Sequence, residues 1–427
     1  MAVVFISKPN DDVNVTGQPL VYTLYDSVST PVRYIVQIEE ATNAFSTGTE
    51  VAKIYISPNA NNRGVFDLSS FVDGRLELPT TVGTQGGYRF IQGNSAQNGT
   101  VPADEIQETV RKYTIKVGRL NADNTEDLND SNTNIYLIPG VRQISEGLHP
   151  SFADFHMTTF QSVTTKGWLT VRNFTDDSRR AIHMHMADDD HGAMCLLAAS
   201  NMGIQNLFYR LVYTLKDSAG NTLATQTAIM AGSSTVTSNY KVAIIGPNQM
   251  SASAVFGSNW DSDWHVCEVQ PQTSWGARCG ATLHIYRDCR PIKHQPVQIA
   301  FTNWAGGWDL LRFDGRAPKT ITKEAKTYQS NPLTYGASVP TFQYWDEVTK
   351  TYHQTATRKF RLNHNQFTAD ERDMLEHLMR AKIVYFRYGR DTWQPCKVDE
   401  NSLVIEPAAS KMFNVSLTIT QSQPVRC

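Results

Sequence analysis

Imidazoles and carboxylates gather in one short run of this chain. His183 and His185 stand two positions apart, and Asp188, Asp190 and His191 follow at once. In an extended strand, residues two apart project from the same face. An acidic turn folding back beside them would add carboxylates, a donor set suited to zinc or another transition metal. The plainer alternative buries Ile182, Met184 and Met186, leaves the histidines facing solvent and makes DDDHG a hairpin turn. A second set, His265, Cys267, Cys279, His284 and Cys289, combines thiols and imidazoles within 25 residues. It lacks the close C-x-x-C or H-x-x-x-H knuckle of a strong zinc signature. A disulfide among its cysteines is the competing reading.

Other residues invite different chemistry. Trp260-Asp-Ser-Asp-Trp264 sets two indoles around Asp261 and Asp263. Indole rings stack on sugar faces and carboxylates take hydroxyls, so this is the candidate glycan site. Core or subunit-interface packing is the plainer use of such tryptophans. Hydrolysis by Asp261 and Asp263 would need a fixed carboxylate separation, which nothing in the sequence sets. Asp123, Asp127, Asn129 and Asp130 form an oxygen-rich loop without the Gly and distal Glu of a calcium loop, and a solvated hairpin tip is expected. Trp304 and Trp308 flank Gly306-Gly307. The spacing predicts a tight turn, with one indole on each arm serving a core or an interface. P-loop, Rossmann, nucleophile-elbow and H-E-x-x-H motifs are missing. The expectation is therefore a protein without enzymatic turnover, catalytic residues or a cofactor.

The bulk properties narrow the classes further. The 427 residues carry a formal net charge of -2, with 19% charged and 41% hydrophobic residues. A nucleic-acid binder usually shows a basic excess, and none is present. No apolar stretch approaches bilayer length, so membrane insertion is not expected. The first ten residues lack the basic leader of a secretory signal, which points to synthesis in a cytoplasm, with release, if any, inside a particle. The six cysteines include no C-x-x-C pair, and reduced thiols are expected.

The elements that must position these residues read as strands. Residues 19–25, 32–39, 51–57, 65–72, 113–119 and 135–138 alternate or cluster apolar residues between Gly, Pro and Asn turns, the pattern of a β-sandwich. Residues 73–104 and 123–134 read as polar excursions. Farther on, residues 168–172, 207–216, 222–230, 241–245 and 281–287 read as strands, with DSAGN closing a hairpin. Residues 232–238 and 251–258 read as small-residue loops. Thr368-Ala-Asp-Glu371 is a capping box that opens the one strong helix. Met374, Leu375, Leu378 and Met379 share a face of it. Strands at 382–388 and 413–420 follow. The fold class is mainly β: several β-sandwich-like domains in series, with a small α+β C-terminal module. The divisions fall at 1–145, 146–295 and 296–427.

Two blocks carry a resemblance. In the first, Pro58, Asn59, Gly64, Asp67, Leu68 and Ser69 follow an extended β-pair. In the second, Phe301, Asn303, Gly306, Gly307, Trp308 and Asp309 open the C-terminal region. This order resembles tail-associated structural proteins of tailed bacteriophages, notably those of Bacteroidetes and aquatic hosts. The resemblance implies a virion protein of the tail, baseplate or adaptor type, made in the host cytoplasm. It implies a homo-oligomer, a ring, touching other virion structural proteins. A receptor-binding tail protein that grips a host surface glycan is the alternative. No catalytic residue is carried across.

Overall fold

The computed structural model describes residues 3–9, 13–28, 31–41, 48–72, 111–138, 140, 167–172, 181–197, 210–229, 240–252, 255–273, 276–290, 293–330, 348–367, 369–389, 393–399 and 413–422. The expected excursion at 73–104, the loop at 232–238, the N-cap Thr368 and the thiol of Cys427 lie outside the described residues.

The chain opens with β1 (Val3–Ser7), β2 (Val13–Val15), β3 (Val21–Asp26), β4 (Arg33–Ala41), β5 (Thr49–Ile56) and β6 (Arg63–Asp67). A single helical turn, α1 (Ser69–Val72), precedes β7 (Arg111–Leu120) and β8 (Glu126–Ile138). These strands make a three-stranded sheet, β1-β3-β6, and a five-stranded sheet, β2-β8-β7-β4-β5. Alternation puts Tyr34, Val36 and Ile38 of β4 with Tyr113, Ile115 and Val117 of β7 on one face. Those residues share one buried core with Val3, Tyr22, Leu24 and Phe66 of the other sheet. The arrangement is a β-sandwich.

The first resemblance block is built from local constraints inside this sandwich. Asn59 Oδ1 accepts from the backbone N–H groups of Asn61 and Arg63, closing the turn into β6. At Gly64 a Cβ would lie 2.6 Å from the Tyr34 ring. Asp67 Oδ1 accepts from Ser69 N at 2.9 Å and from Leu20 N at 2.9 Å, so it caps α1 and ties it to the strand start. The strand expected at 65–72 therefore ends at Asp67, because a capping carboxylate turns the chain. In the other direction, the polar excursion expected at 123–134 contracts to a short turn at 121–125. The rest belongs to β8, whose polar residues pair across to β7, as Thr114 Oγ1 does with Asn134 Oδ1 at 2.9 Å.

The central strands are β9 (Ala181–Met186), β10 (Ala193–Leu197), β11 (Arg210–Lys216), β12 (Thr222–Ile229) and β13 (Tyr240–Ile244). After a short helix, α2 (Pro247–Ala252), come β14 (Val266–Gln272) and β15 (Thr282–Arg287). Strands β10 and β13 pair, and the others form a five-stranded sheet, β12-β11-β14-β15-β9. Its edge strand β9 runs parallel to β15. The DSAGN hairpin forms as expected. Asp217 Oδ1 accepts from the N–H groups of Ala219 and Asn221, and Gly220 takes φ +86°.

The remaining strands are β16 (Val297–Thr302), β17 (Trp308–Phe313), β18 (Lys319–Gln329) and β19 (Thr349–Phe367). Helix α3 (Ala369–Arg380) leads to β20 (Val384–Tyr388), β21 (Gln394–Val398) and β22 (Phe413–Gln421). The seven-stranded sheet has the order β17-β16-β20-β21-β22-β19-β18. Among the described residues α3 is the only α-helix longer than two turns. It buries Met374, Leu375 and Leu378 as its apolar stripe requires.

Two compact units emerge. One comprises Met1–Pro291, Ala300–Leu311 and Asp373–Lys382, the other Ile292–Ile299, Arg312–Arg372 and Ile383–Cys427. The protein is mainly β, with several sheets in series.

Candidate functional site

The second resemblance block is a buried polar junction. Strand β16 ends at Thr302, and the chain turns through Asn303–Gly307 into β17. Gly306 takes φ +83°, which only glycine adopts cheaply. Gly307 is needed for another reason: a Cβ there would sit 2.0 Å from the carbonyl oxygen of Leu169. The Asn303 side chain donates to Leu169 O at 2.9 Å and to Asp309 Oδ2 at 2.7 Å, and accepts from Gly307 N at 3.0 Å. Asp309 also accepts from the Thr170 hydroxyl and from Val171 N. The buried Arg172 guanidinium donates to Leu310 O at 2.9 Å. These bonds occupy the backbone of residues 169–172, so the strand expected at 168–172 reduces to one bridge, Trp168 to Leu196. Trp308 starts β17 and is buried, while Trp304 lies in the turn, half-buried, instead of on an arm.

The run from His183 to His191 is spread over three settings. On β9, Ile182, Met184 and Met186 are buried, and His183 and His185 share the opposite face. Asp188 lies on the following turn, where it accepts from Trp264 Nε1 at 3.0 Å and pairs with the Arg287 guanidinium. Asp190 is buried and closes that turn by accepting from Ala187 N at 2.8 Å. His191 is half-buried beside it. Side chains from the expected metal set therefore serve turn closure and an ion pair. Among the described residues, no group of three or more His, Cys, Asp or Glu converges to hold a metal.

The WDSDW segment meets the same turn. Trp264 is buried, with its N–H committed to Asp188 and the Arg287 guanidinium 5.7 Å from its ring centre. Trp260 is half-buried, 5.5 Å from Trp264 and 5.6 Å from Phe256 between ring centres. Asp261 Oδ1 accepts from Asp263 N at 2.8 Å, an Asx-turn. Trp260 and Asp261 are half-buried and Ser262 and Asp263 exposed, but Trp264 is buried, so the paired indoles do not form an open clamp.

The thiol and imidazole set divides across the sheet. Cys267 is buried in β14, while its neighbour Glu268 faces the other side with His284 of β15. Burial pushes the Cys267 thiol well above its ordinary range and the Cys279 thiol up to about 12. Burial of this kind disfavours the thiolate form. His265 and Cys289 are exposed. No disulfide joins the described cysteines Cys195, Cys267, Cys279, Cys289 and Cys396. In the Asp123 turn, Asp123 accepts from the hydroxyl and N–H of Thr125, which holds its carboxyl below the usual range. Asp127 lies 3.6 Å from Arg119, and the side chains of Asn129 and Asp130 lie outside the described residues.

Sequence reasoning missed a long exposed element. Strands β18 and β19 pair antiparallel as a long ribbon, and every residue of β18 is exposed. Residues 348–353 on the partner arm are exposed too. Ile321 is 59% and Tyr352 65% accessible, and Tyr328 and Tyr352 lie with ring centres 6.2 Å apart. The two arms, 319–329 and 349–360, hold six Lys and Arg against one Glu, a net charge of +5. The rest of the chain therefore carries -7 of the total of -2. Mixed threonine and lysine without apolar alternation was the available signal.

No known protein family matches the sequence, and no curated protein matches it. Among solved structures, trypsin-activated alpha-2-macroglobulin from Escherichia coli aligns at 7% identity and a TM-score of 0.21 over 98% of this chain. The alignment covers 23% of that protein, so the chain spans about a quarter of its length. A marsupial T cell receptor aligns at 10% identity and a TM-score of 0.17, over 98% of this chain and 92% of that one. Likenesses at these scores carry no argument about what the chain does.

Proposed function

We propose that this chain is a structural subunit that works by binding copies of itself and neighbouring proteins in a larger particle. The tail or baseplate of a tailed phage is the setting that the sequence resemblance favours. The β18–β19 ribbon carries the reading. The outer part of the ribbon, β18 with residues 348–353, is exposed, and a two-stranded ribbon is marginal in water by itself. A long exposed edge strand also invites pairing with other chains. Both liabilities are relieved when the ribbon lies on a neighbour. Its charge of +5 complements the -7 on the rest of an identical chain, which favours a head-to-tail contact repeated about an axis. Tyr328 and Tyr352, with ring centres 6.2 Å apart, supply the apolar centre that such a contact needs, and Ile321 adds exposed apolar surface farther along. The proposal assigns no catalytic residue.

Sedimentation velocity across a concentration series tests it. The full chain is expected to associate, and the triple variant Ile321→Ser, Tyr328→Ser, Tyr352→Ser to remain monomeric with its melting temperature unchanged. A wild-type chain that stays monomeric at every concentration and salt, or a variant that assembles as wild type does, overturns the proposal.

A further inference from the structure

The parallel pairing of β9 with β15 brings together one imidazole from each of the two groups that the sequence keeps apart. His183 pairs directly with His284, and His185 with Tyr286. The antiparallel neighbour β14 places Glu268 opposite His284. These side chains share the face of the sheet turned away from Met184, Cys267 and Ile285, and β9 is the sheet's edge. The His183 and His284 ring centres are 5.1 Å apart, with planes inclined at 54°.

That separation has a chemical meaning. Metal–nitrogen bonds of about 2.0–2.1 Å put each imidazole centre about 3.2 Å from a bound ion, so a tetrahedral angle separates the two centres by about 5.2 Å. Glu268 Oε1 lies 3.8 Å from His284 Nδ1, beyond hydrogen-bond length, so the carboxylate acts on the ring as a nearby charge. Glu268 is itself held by Lys216 Nζ at 2.7 Å, which neutralises that ammonium. Burial lowers the His284 pKa, with His183, Lys216 and Arg278 acting in the same direction and Glu268 opposing them.

We propose that His183 and His284 chelate one divalent transition-metal ion of the zinc, nickel or copper class on the outer face of the central sheet, with the Glu268 carboxylate close by. His185, two residues along on the same face, lies beside this pair next to Tyr286, at 5.5 Å between ring centres. The remaining coordination positions are open to water or to a donor from another molecule.

Titration of the full chain with Cu²⁺, Ni²⁺ and Zn²⁺ tests the site. One ion per chain is expected, and the Cu²⁺ form should show nitrogen hyperfine structure from two imidazoles in its electron paramagnetic resonance spectrum. His183→Ala and His284→Ala should each abolish this signal and weaken binding at least tenfold. His353→Ala, on the exposed ribbon, should leave both unchanged. Glu268→Gln, which removes only a nearby charge, should weaken binding less than either histidine variant does. Should either histidine variant misfold, carbethoxylation of the wild-type chain decides instead, since bound metal should protect His183 and His284 and not His353. Absence of binding, binding unchanged in both histidine variants, or no protection of the pair overturns the proposal.

Discussion

Two tyrosine-bearing regions use the same side chain in opposite ways. In the N-terminal sandwich Tyr34 is fully buried, donates its hydroxyl to Asn62 O at 2.5 Å and accepts from Asp26 N at 3.2 Å. In the β18–β19 ribbon Tyr352 lies mostly in solvent and touches Tyr328 across the strands. The sandwich closes two sheets over one core, so its aromatic residues are spent on the stability of the single chain. Among the described residues nothing buries β18 or residues 348–353 of its partner arm, and the apolar surface there is open to solvent. The difference teaches that an aromatic side chain stabilises the single chain where a second layer covers it: fifteen buried hydrophobic residues share the sandwich core, while no residue of β18 is buried.

The comparison breaks first on mutation of its buried side. Tyr34→Ala should cost about 3–5 kcal/mol in chemical denaturation, the usual penalty for truncating a buried aromatic residue. A loss below about 1 kcal/mol would mean that the sandwich core is not where the chain's stability resides.

Next in size is the junction at Asn303 and Asp309. Asp309→Ala removes an acceptor of Thr170, Val171 and Asn303, and leaves the buried Thr170 hydroxyl and the part-buried Val171 N–H without it. A cost of roughly 2–4 kcal/mol is expected from such unsatisfied groups, read as a fall in melting temperature. Gly307→Ala should be destabilising as well, because Leu169 O occupies the place of the new methyl group.

A smaller effect belongs to pH. His284 has a lowered folded pKa, so on acidification the unfolded chain takes up its proton before the folded one does. Its contribution to stability is full above the unfolded value of about 6.5 and is lost as pH falls from there toward the lower folded value. His284→Gln should flatten the stability profile over that window in denaturation series at stepped pH, and an unaltered slope would remove His284 as a cause. The smallest effect sharpens the contrast: Tyr352→Ser should change the stability of the isolated chain by no more than about 0.5 kcal/mol while still weakening association.

Much of this was legible without a structure. The alternation in β4 and in β22, the DSAGN hairpin, and the apolar stripe of α3 are local patterns. Local patterns survive into the fold because side chains two or four apart share a face whatever lies beyond them. Local reading failed where a side chain competed with the backbone. Asp67 ended a strand to cap α1, and Asn303 and Asp309 took the hydrogen bonds that residues 169–172 would have offered to a sheet.

By itself the sequence determined the mainly β class, the position of the principal helix and the glycines at the turns, since all three follow from periodicity and backbone conformation within a few residues. Only the tertiary structure decided which imidazoles meet, which indole is buried and which strand pair is left in solvent. His183 and His284 are 101 positions apart, and their pairing depends on the register of two parallel strands. Register is set by what the opposite face must bury, here Ile182 and Met184 beside Leu283 and Ile285, and not by the histidines themselves.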